Sequence, residues 1–227
     1  MALFDFSFLS PATGATLAHG MLVSFQVAGT ALVVGLIWGT ILALMRLSGV
    51  RGLSWFSAAY VSLFRSVPLA MVLLGFYLVV PQILRAVFPG AAGMDTRMLS
   101  ALVGFALFES AYYAEIMRAG IQSVPRSQFH AASALGMTNS QAMRIVILPQ
   151  AARNMLPLLL TQLIVLFQDT SIVYVISLAD FFTAAESIGE RDGKIEEMMV
   201  IAALCYFSVC FTASRAVQWF AWRTGKK

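Results

Sequence analysis

Four ionisable side chains, Arg65, Glu109, Glu115 and Asp169, interrupt runs that are otherwise apolar. A charge at the centre of a membrane helix costs about 2.5–3.5 kcal/mol on insertion scales, so such residues face protein, water or a solute path. Arg65 is the cationic partner an acidic solute would need. Asp169, flanked by Gln168, Thr170 and Ser171, forms a polar patch that suits an ammonium group or a helix break. Arg65, Glu109, Gln168, Asp169, Thr170 and Ser171 are therefore the candidate substrate pathway, with Arg65 on a carboxylate and Asp169 and Thr170 on the amino group. The competing assignment for Arg65 is an internal ion pair with Glu109, Glu115 or Asp169. Glu115 and Arg118, spaced i,i+3 near a helix end, read as a structural pair. Bond-making chemistry has no visible carrier. His19 and His130 stand far apart with no Cys or carboxylate at ligand spacing, and Cys205 and Cys210 share one apolar run. The stretch GERDGKI at 189–195 has one spacer residue too few for a phosphate loop and Ile where its hydroxyl belongs. No metal, no cofactor and no enzymatic activity are expected of this chain alone.

The elements that position these residues are membrane helices. Of 227 residues 59% are hydrophobic and 11% charged, against about 45–50% apolar and about 25% charged in ordinary soluble domains. A bilayer core of about 30 Å needs about 20 apolar helical residues. Five windows qualify: 21–45, 58–80, 98–117, 156–175 and 198–220. Ten basic residues fall on one side of these windows (Arg46, Arg51, Arg118, Arg126, Arg144, Arg153, Arg215, Arg223, Lys226, Lys227) and four on the other (Arg85, Arg97, Arg191, Lys194). The positive-inside rule then places the N-terminus outside and the C-terminus inside, with Trp55, Trp219 and Trp222 at the cytoplasmic interface. The net charge of +4 is scattered singly through the chain and forms no nucleic-acid-binding face. The N-terminus has no basic region before its apolar stretch and carries Asp5, unlike a cleaved signal peptide. The expected fold is all-α, one integral membrane domain over 1–227. Gly35 and Gly39, a GxxxG pair, are expected to pack closely on another helix, while Pro68, Pro81 and Pro157 mark kinks or helix ends.

Between the third and fourth windows, about 122–153, the chain reads QSVPRSQFHAASALGMTNSQAMRIVILPQAAR. Ala131, Ala132 and Ala134 favour helix with small side chains, Gly136 allows a sharp turn, and Pro149 is expected to break the following helix so that the chain re-enters the membrane. On composition alone the segment also fits an amphipathic helix lying on headgroups.

The register Ala131-Ala132, Gly136, Leu148-Pro149 resembles the EAA loop of ATP-driven (ABC) importer permeases. His130 stands at the family's Glu position and Val146 at its Ile. Phe64-Arg65-Ser66-Val67-Pro68, Glu115-Ile116-Met117-Arg118-Ala119-Gly120, Leu148-Pro149-Gln150-Ala151 with Arg153, and Asp169-Thr170-Ser171 are similar to motifs of the polar amino-acid subgroup, in the same order. Ser127 departs from a usual Gly. Within the subgroup, FQDTSIVYVISLADFF and IGERDG resemble the permeases of bacterial glutamate/aspartate importers, in which a Gln takes the place held here by Gln168.

The resemblance implies a type I ABC importer permease fold in a bacterial inner membrane, crossed several times. It also implies a coupling helix, carried by His130, Ala131, Ala132, Leu135, Gly136, Met137, Leu148 and Pro149, that docks on an ATP-binding subunit. The implied partners are two such ATPase subunits, which hold ATP and Mg, a second and homologous but non-identical permease, and a periplasmic substrate-binding protein. Two other classes compete. An ion-coupled secondary transporter would need paired discontinuous helices in two halves of the chain. A scaffold without transport leaves Arg65 and Asp169 unexplained.

Overall fold

The structure, a computed structural model, describes residues 10–88, 90 and 93–224, without the side chains of 220 and 222–224. Among the described residues the chain is all helical. The helices are α1 (Pro11–Leu47), α2 (Arg51–Ser66), α3 (Leu69–Val87), α4 (Arg97–Gln122), α5 (Arg126–Ala134), α6 (Asn139–Gln141), α7 (Leu148–Asp169), α8 (Phe181–Asp192) and α9 (Ile195–Thr224). A π turn, Ala142–Ile147, joins α6 to α7, and a 3-10 turn, Thr170–Ile176, extends α7.

Four helical stretches are long and apolar enough to cross a membrane: Pro11–Leu47, Leu69–Val87, Asn139–Ile176 and Ile195–Trp219. Their outer faces are the apolar ones, with Leu22, Ile37, Leu44 and Leu78 each at least 60% exposed. That inversion of the usual soluble pattern is stable only against lipid or another apolar surface.

The third expected window falls on α4, whose composition differs because it forms the centre of the bundle. Its buried face is built from Ser100, Ala101, Gly104, Phe105, Glu109, Ser110, Tyr113 and Ala114. Small residues let the backbones approach. A Cβ on Gly39 would lie 2.9 Å from both the Ser110 carbonyl oxygen and Tyr113 Cβ, and one on Gly35 3.2 Å from the Tyr113 ring. The GxxxG pair of α1 is thus the seam against α4. Gly104 admits Leu73 of α3, and Gly120 admits Met155 of α7, in the same way.

The second expected window, 58–80, is not one helix. Pro68 has no N–H to continue a helix and disfavours helical geometry in the residue before it. Val67 is accordingly extended (φ −111°, ψ 135°), and α2 and α3 are separate rods. The fourth window runs the other way. Pro149 breaks nothing, because it occupies the first turn of α7, where its missing N–H is harmless. The π turn precedes it, with Leu148 N–H bonded to Met143 O, and the helical path from Asn139 to Ile176 is continuous.

At the end opposite α5, Asp180 caps α8 by accepting from Thr183 N (3.0 Å) and Thr183 Oγ1 (2.8 Å), and Ser24 of α1 donates to its other oxygen at 3.2 Å. On the same side Arg97 grips Asp95 and donates to Ser177 O at 2.8 Å, fixing the left-handed corner (φ 53°) that ends the 3-10 turn.

Candidate functional site

The polar segment folds into a short helix that presents one face outward. Phe129 and Ala132, three residues apart, turn α5 towards an apolar cluster of Val124, Ile147 and Ala151. His130, Ala131 and Leu135 are left on the exposed side, with Leu135 78% exposed. The helix ends in a Schellman motif: Met137 N–H bonds to Ala132 O (3.1 Å), Gly136 N–H bonds to Ser133 O (3.0 Å), and Gly136 takes φ +77°. One residue on, Thr138 and Gln141 form a capping box that starts α6. Two terminations back to back hold Leu135 and Gly136 at a rigid tip. Leu148 is exposed beside Pro149, and Met137 is half-buried. Of the expected coupling residues, Ala132 alone turns inward, at 3% exposure, and supports the helix from beneath.

The expected pathway residues separate into two groups. Glu109 is fully buried on α4, where Gln162 of α7 donates from Nε2 to both of its oxygens, at 3.1 and 3.3 Å. Asp169 lies seven residues beyond Gln162, two turns on along the same face of α7. Thr170 is sealed in the core and donates to Phe167 O at 2.8 Å, so its hydroxyl has no spare donor for a solute. Ser171 donates to Gln168 O at 2.9 Å, and Gln168 is exposed. Four successive residues of a helix point in different directions, and the expected patch is divided among them.

Arg65 belongs to the other group. It makes no ion pair among the described residues; its guanidinium carbon sits 5.4 Å from the centre of the Tyr112 ring. It is exposed at the end of α2, beside the break at Val67-Pro68. Below it opens a cavity of about 440 Å³, shared with Arg46, Glu115 and Arg118. Arg118 holds both oxygens of Glu115, with Nε to Oε2 at 2.9 Å, the structural pair expected from the spacing.

Gln162, Tyr112 and Arg46 complete these groups, and their residue types alone do not mark them as site residues. Gln162 was signalled by its position two turns before Asp169. Tyr112 lies in an aromatic-rich stretch of α4 that reads as packing, and Arg46 reads as an orientation charge at the end of α1.

The model of the family described as "Binding-protein-dependent transport system inner membrane component" matches residues 31–226. The glutamate/aspartate import permease protein GltK of Escherichia coli O6:H1 is 53% identical over 221 residues, covering 97% of this chain and 98% of that one. The arginine transport system permease protein ArtQ of Bacillus subtilis is 32% identical over 189 residues, 83% of each chain. Among solved structures, an amino acid ABC transporter crystallised with histidines superposes with a TM-score of 0.84 at 33% identity, over 92% of this chain and 94% of that one. The MetNI methionine ABC transporter, at 19% identity and TM-score 0.66, shares the fold. The chain belongs to the family of binding-protein-dependent transport system inner membrane components, membrane subunits of importers whose ATP hydrolysis is carried by a separate subunit.

Proposed function

We propose that this chain is the permease subunit of an ATP-driven importer for glutamate and aspartate, with Arg65 on the solute path and the exposed face of α5 as the coupling surface. Identity of 53% along nearly the whole length of a glutamate/aspartate permease supports the substrate class. Within the molecule, the observation that carries the reading is Arg65. A guanidinium that makes no ion pair among the described residues, beside a helix break and facing a cavity whose carboxylate, Glu115, is held by Arg118, is costly against lipid and suits an anion path.

In this reading α4 is the third of five spans, lined by protein and not by lipid, and the N-terminus lies outside. Arg46 and Arg118 then share the cytoplasmic end with α5. The chain is one domain, with its coupling segment within about 122–153. His130, Ala131, Leu135, Gly136, Met137, Leu148 and Pro149 meet the ATP-binding subunit, and Ala132 backs them. Two ATPase subunits bind ATP and Mg; a second, homologous permease chain closes the path; a periplasmic binding protein delivers the solute. Closure of the ATPase pair presses on the α5 tip, and the helical path from α6 through α7 carries the displacement past Gln162 and Asp169. Glu109 serves as the fixed point on α4 for that motion.

The test is uptake of labelled glutamate and aspartate into proteoliposomes holding the assembled complex, with binding protein outside and ATP on the ATPase side. Uptake that needs both is the expected result. Uptake that survives without ATP would overturn the reading and favour ion coupling.

A further inference from the structure

A groove of about 450 Å³ runs beneath α5 and shares no residue with the cavity at Arg65. Its floor is apolar: Ile121 from the end of α4, Val124 from the turn, Phe129 from α5, and Met143 and Ile147 from the π turn. Arg126 stands at its mouth. Arg126, Phe129 and Ala132 recur at three-residue intervals and so share one face of α5. Along that face the side chains pass from an exposed Arg126 through a half-buried Phe129 to a buried Ala132. The groove therefore opens at the arginine and closes towards the docking tip.

Charge decides what suits the mouth. Between Ile116 and Gln168 the chain has no Asp or Glu, while Arg118, Arg126, Arg144 and Arg153 all lie in that stretch. Arg118 is held by Glu115. The guanidinium of Arg126 has no hydrogen bond or ion pair among the described residues. Gln122, whose side-chain oxygen accepts from Arg118, has its amide nitrogen left over as a second donor in the groove.

An occupant must join an anionic head to an apolar body, and two observations favour a phospholipid over a protein segment. Ala131 and Leu135, on the outward side of α5, lie about 200° and 240° round from Phe129 at about 100° per residue. A subunit docked on them covers the other side of the helix. The groove also lies where α4 ends and the path into α7 begins, the level at which both leave the bilayer in the proposed topology. Basic pockets between membrane helices on the cytoplasmic side suit anionic headgroups, and a guanidinium holds a phosphate through two donors.

We propose that the groove binds an anionic phospholipid, with its phosphate on Arg126 and the Gln122 amide and one acyl chain over Phe129, Met143 and Ile147. The lipid fills the space beneath α5 and braces that helix against α4 and the π turn. The inference rests on the proposed orientation of the spans and is independent of the transported solute.

The test uses the assembled complex, purified in mild detergent and given phosphatidylglycerol or phosphatidylcholine, with retained lipid read by native mass spectrometry. Phosphatidylglycerol should be retained in preference, and glycerol phosphate, the same anion without chains, should not displace it. R126Q should lower retention about fivefold, the attraction of one cation for an anionic lipid, and R126K should lower it less. R144Q removes a charge from the same end but outside the groove, and should match the parent. Phosphatidylglycerol with a photoreactive acyl chain should label the segments 121–129 and 143–147 of the parent complex, an arm that needs no variant to assemble. Equal retention of the two lipids, equal losses in R126Q and R144Q, displacement by glycerol phosphate, or labelling confined to other segments or to the ATP-binding subunit would each overturn the site. Glutamate uptake by the same complex is measured alongside; its failure bears on the transport reading and leaves the lipid result standing.

Discussion

Gln162 of α7 places its amide nitrogen within hydrogen-bond reach of both oxygens of Glu109 of α4, at 3.1 and 3.3 Å, and Glu109 has no solvent exposure. Removing the donor leaves a buried carboxyl without a partner, a loss of about 1–3 kcal/mol. Gln162→Leu should lower the melting temperature of the purified complex more than Glu109→Gln, which keeps a polar group in place. Equal melting temperatures would show that the pair holds nothing together.

The α1–α4 seam sets a second expectation. A side chain at Gly39 meets Ser110 O and Tyr113 Cβ at 2.9 Å, whereas one at Gly29 of the same helix meets nothing within 4 Å. Gly39→Val should destabilise by about 1–3 kcal/mol through overpacking, and Gly29→Ala should be tolerated. Thermal melting of both variants in one detergent is the comparison.

On α5, exposed and buried positions should fail differently. Leu135→Asp alters the tip without touching the core, and should cut stimulated ATPase activity tenfold or more while the permease still folds. Ala132→Arg forces a charge beneath the helix and should reduce the yield of folded protein itself. Copurification of the ATP-binding subunit and size-exclusion profiles separate the two outcomes.

Arg65→Gln should lower uptake at least tenfold with the complex assembled. Arg65→Lys keeps the charge but loses the flat face over Tyr112 and the forked donors, so it should rescue only partly. Full activity in the Lys variant would mean that charge alone matters at this position.

Outside the spans, hydrogen bonds from Arg97 hold the Asp95 carboxyl down to about 2. A depressed value in the folded state means that the pair stabilises above the unfolded carboxylate range, about 3.9, and that this stabilisation is lost as pH falls from there through about 2. Asp95→Asn should flatten that part of the melting-versus-pH curve and leave pH 7 transport unchanged. Because the pair is exposed, the effect should also shrink in high salt.

Much of this molecule is legible in its residues, and the illegible parts have physical reasons. Gly136 after an alanine-rich stretch announces a helix end, and the Schellman motif realises it. Gly35 and Gly39 announce a close packing partner but not which one, because Ser110 and Tyr113 lie some 75 residues away. Pro68 is visible as a punctuation mark, yet the apolar run on both sides hides that it divides two rods. The stretch 168–171 reads as one polar patch when written as a line. On a helix each step turns by about 100°, so Asp169 shares a face with Gln162, two turns back, and not with Thr170. Only the packing of α4 against α1 and α7 reveals that Glu109 is enclosed.

The turn at Ala142–Ile147 holds one residue more than an α turn, as the bond from Leu148 N–H to Met143 O records. Such a surplus residue is taken up as a bulge within the turn, so the helix on either side keeps nearly the same phase and rise. Gln162 meets Glu109 only in this phase. Deleting one residue of the turn would restore an α turn and leave the amide facing the carboxyl, whereas a residue inserted between Pro149 and Gln162 would swing it away by about 100°. The bulge lets the docking end carry an extra residue without turning the interior of the bundle.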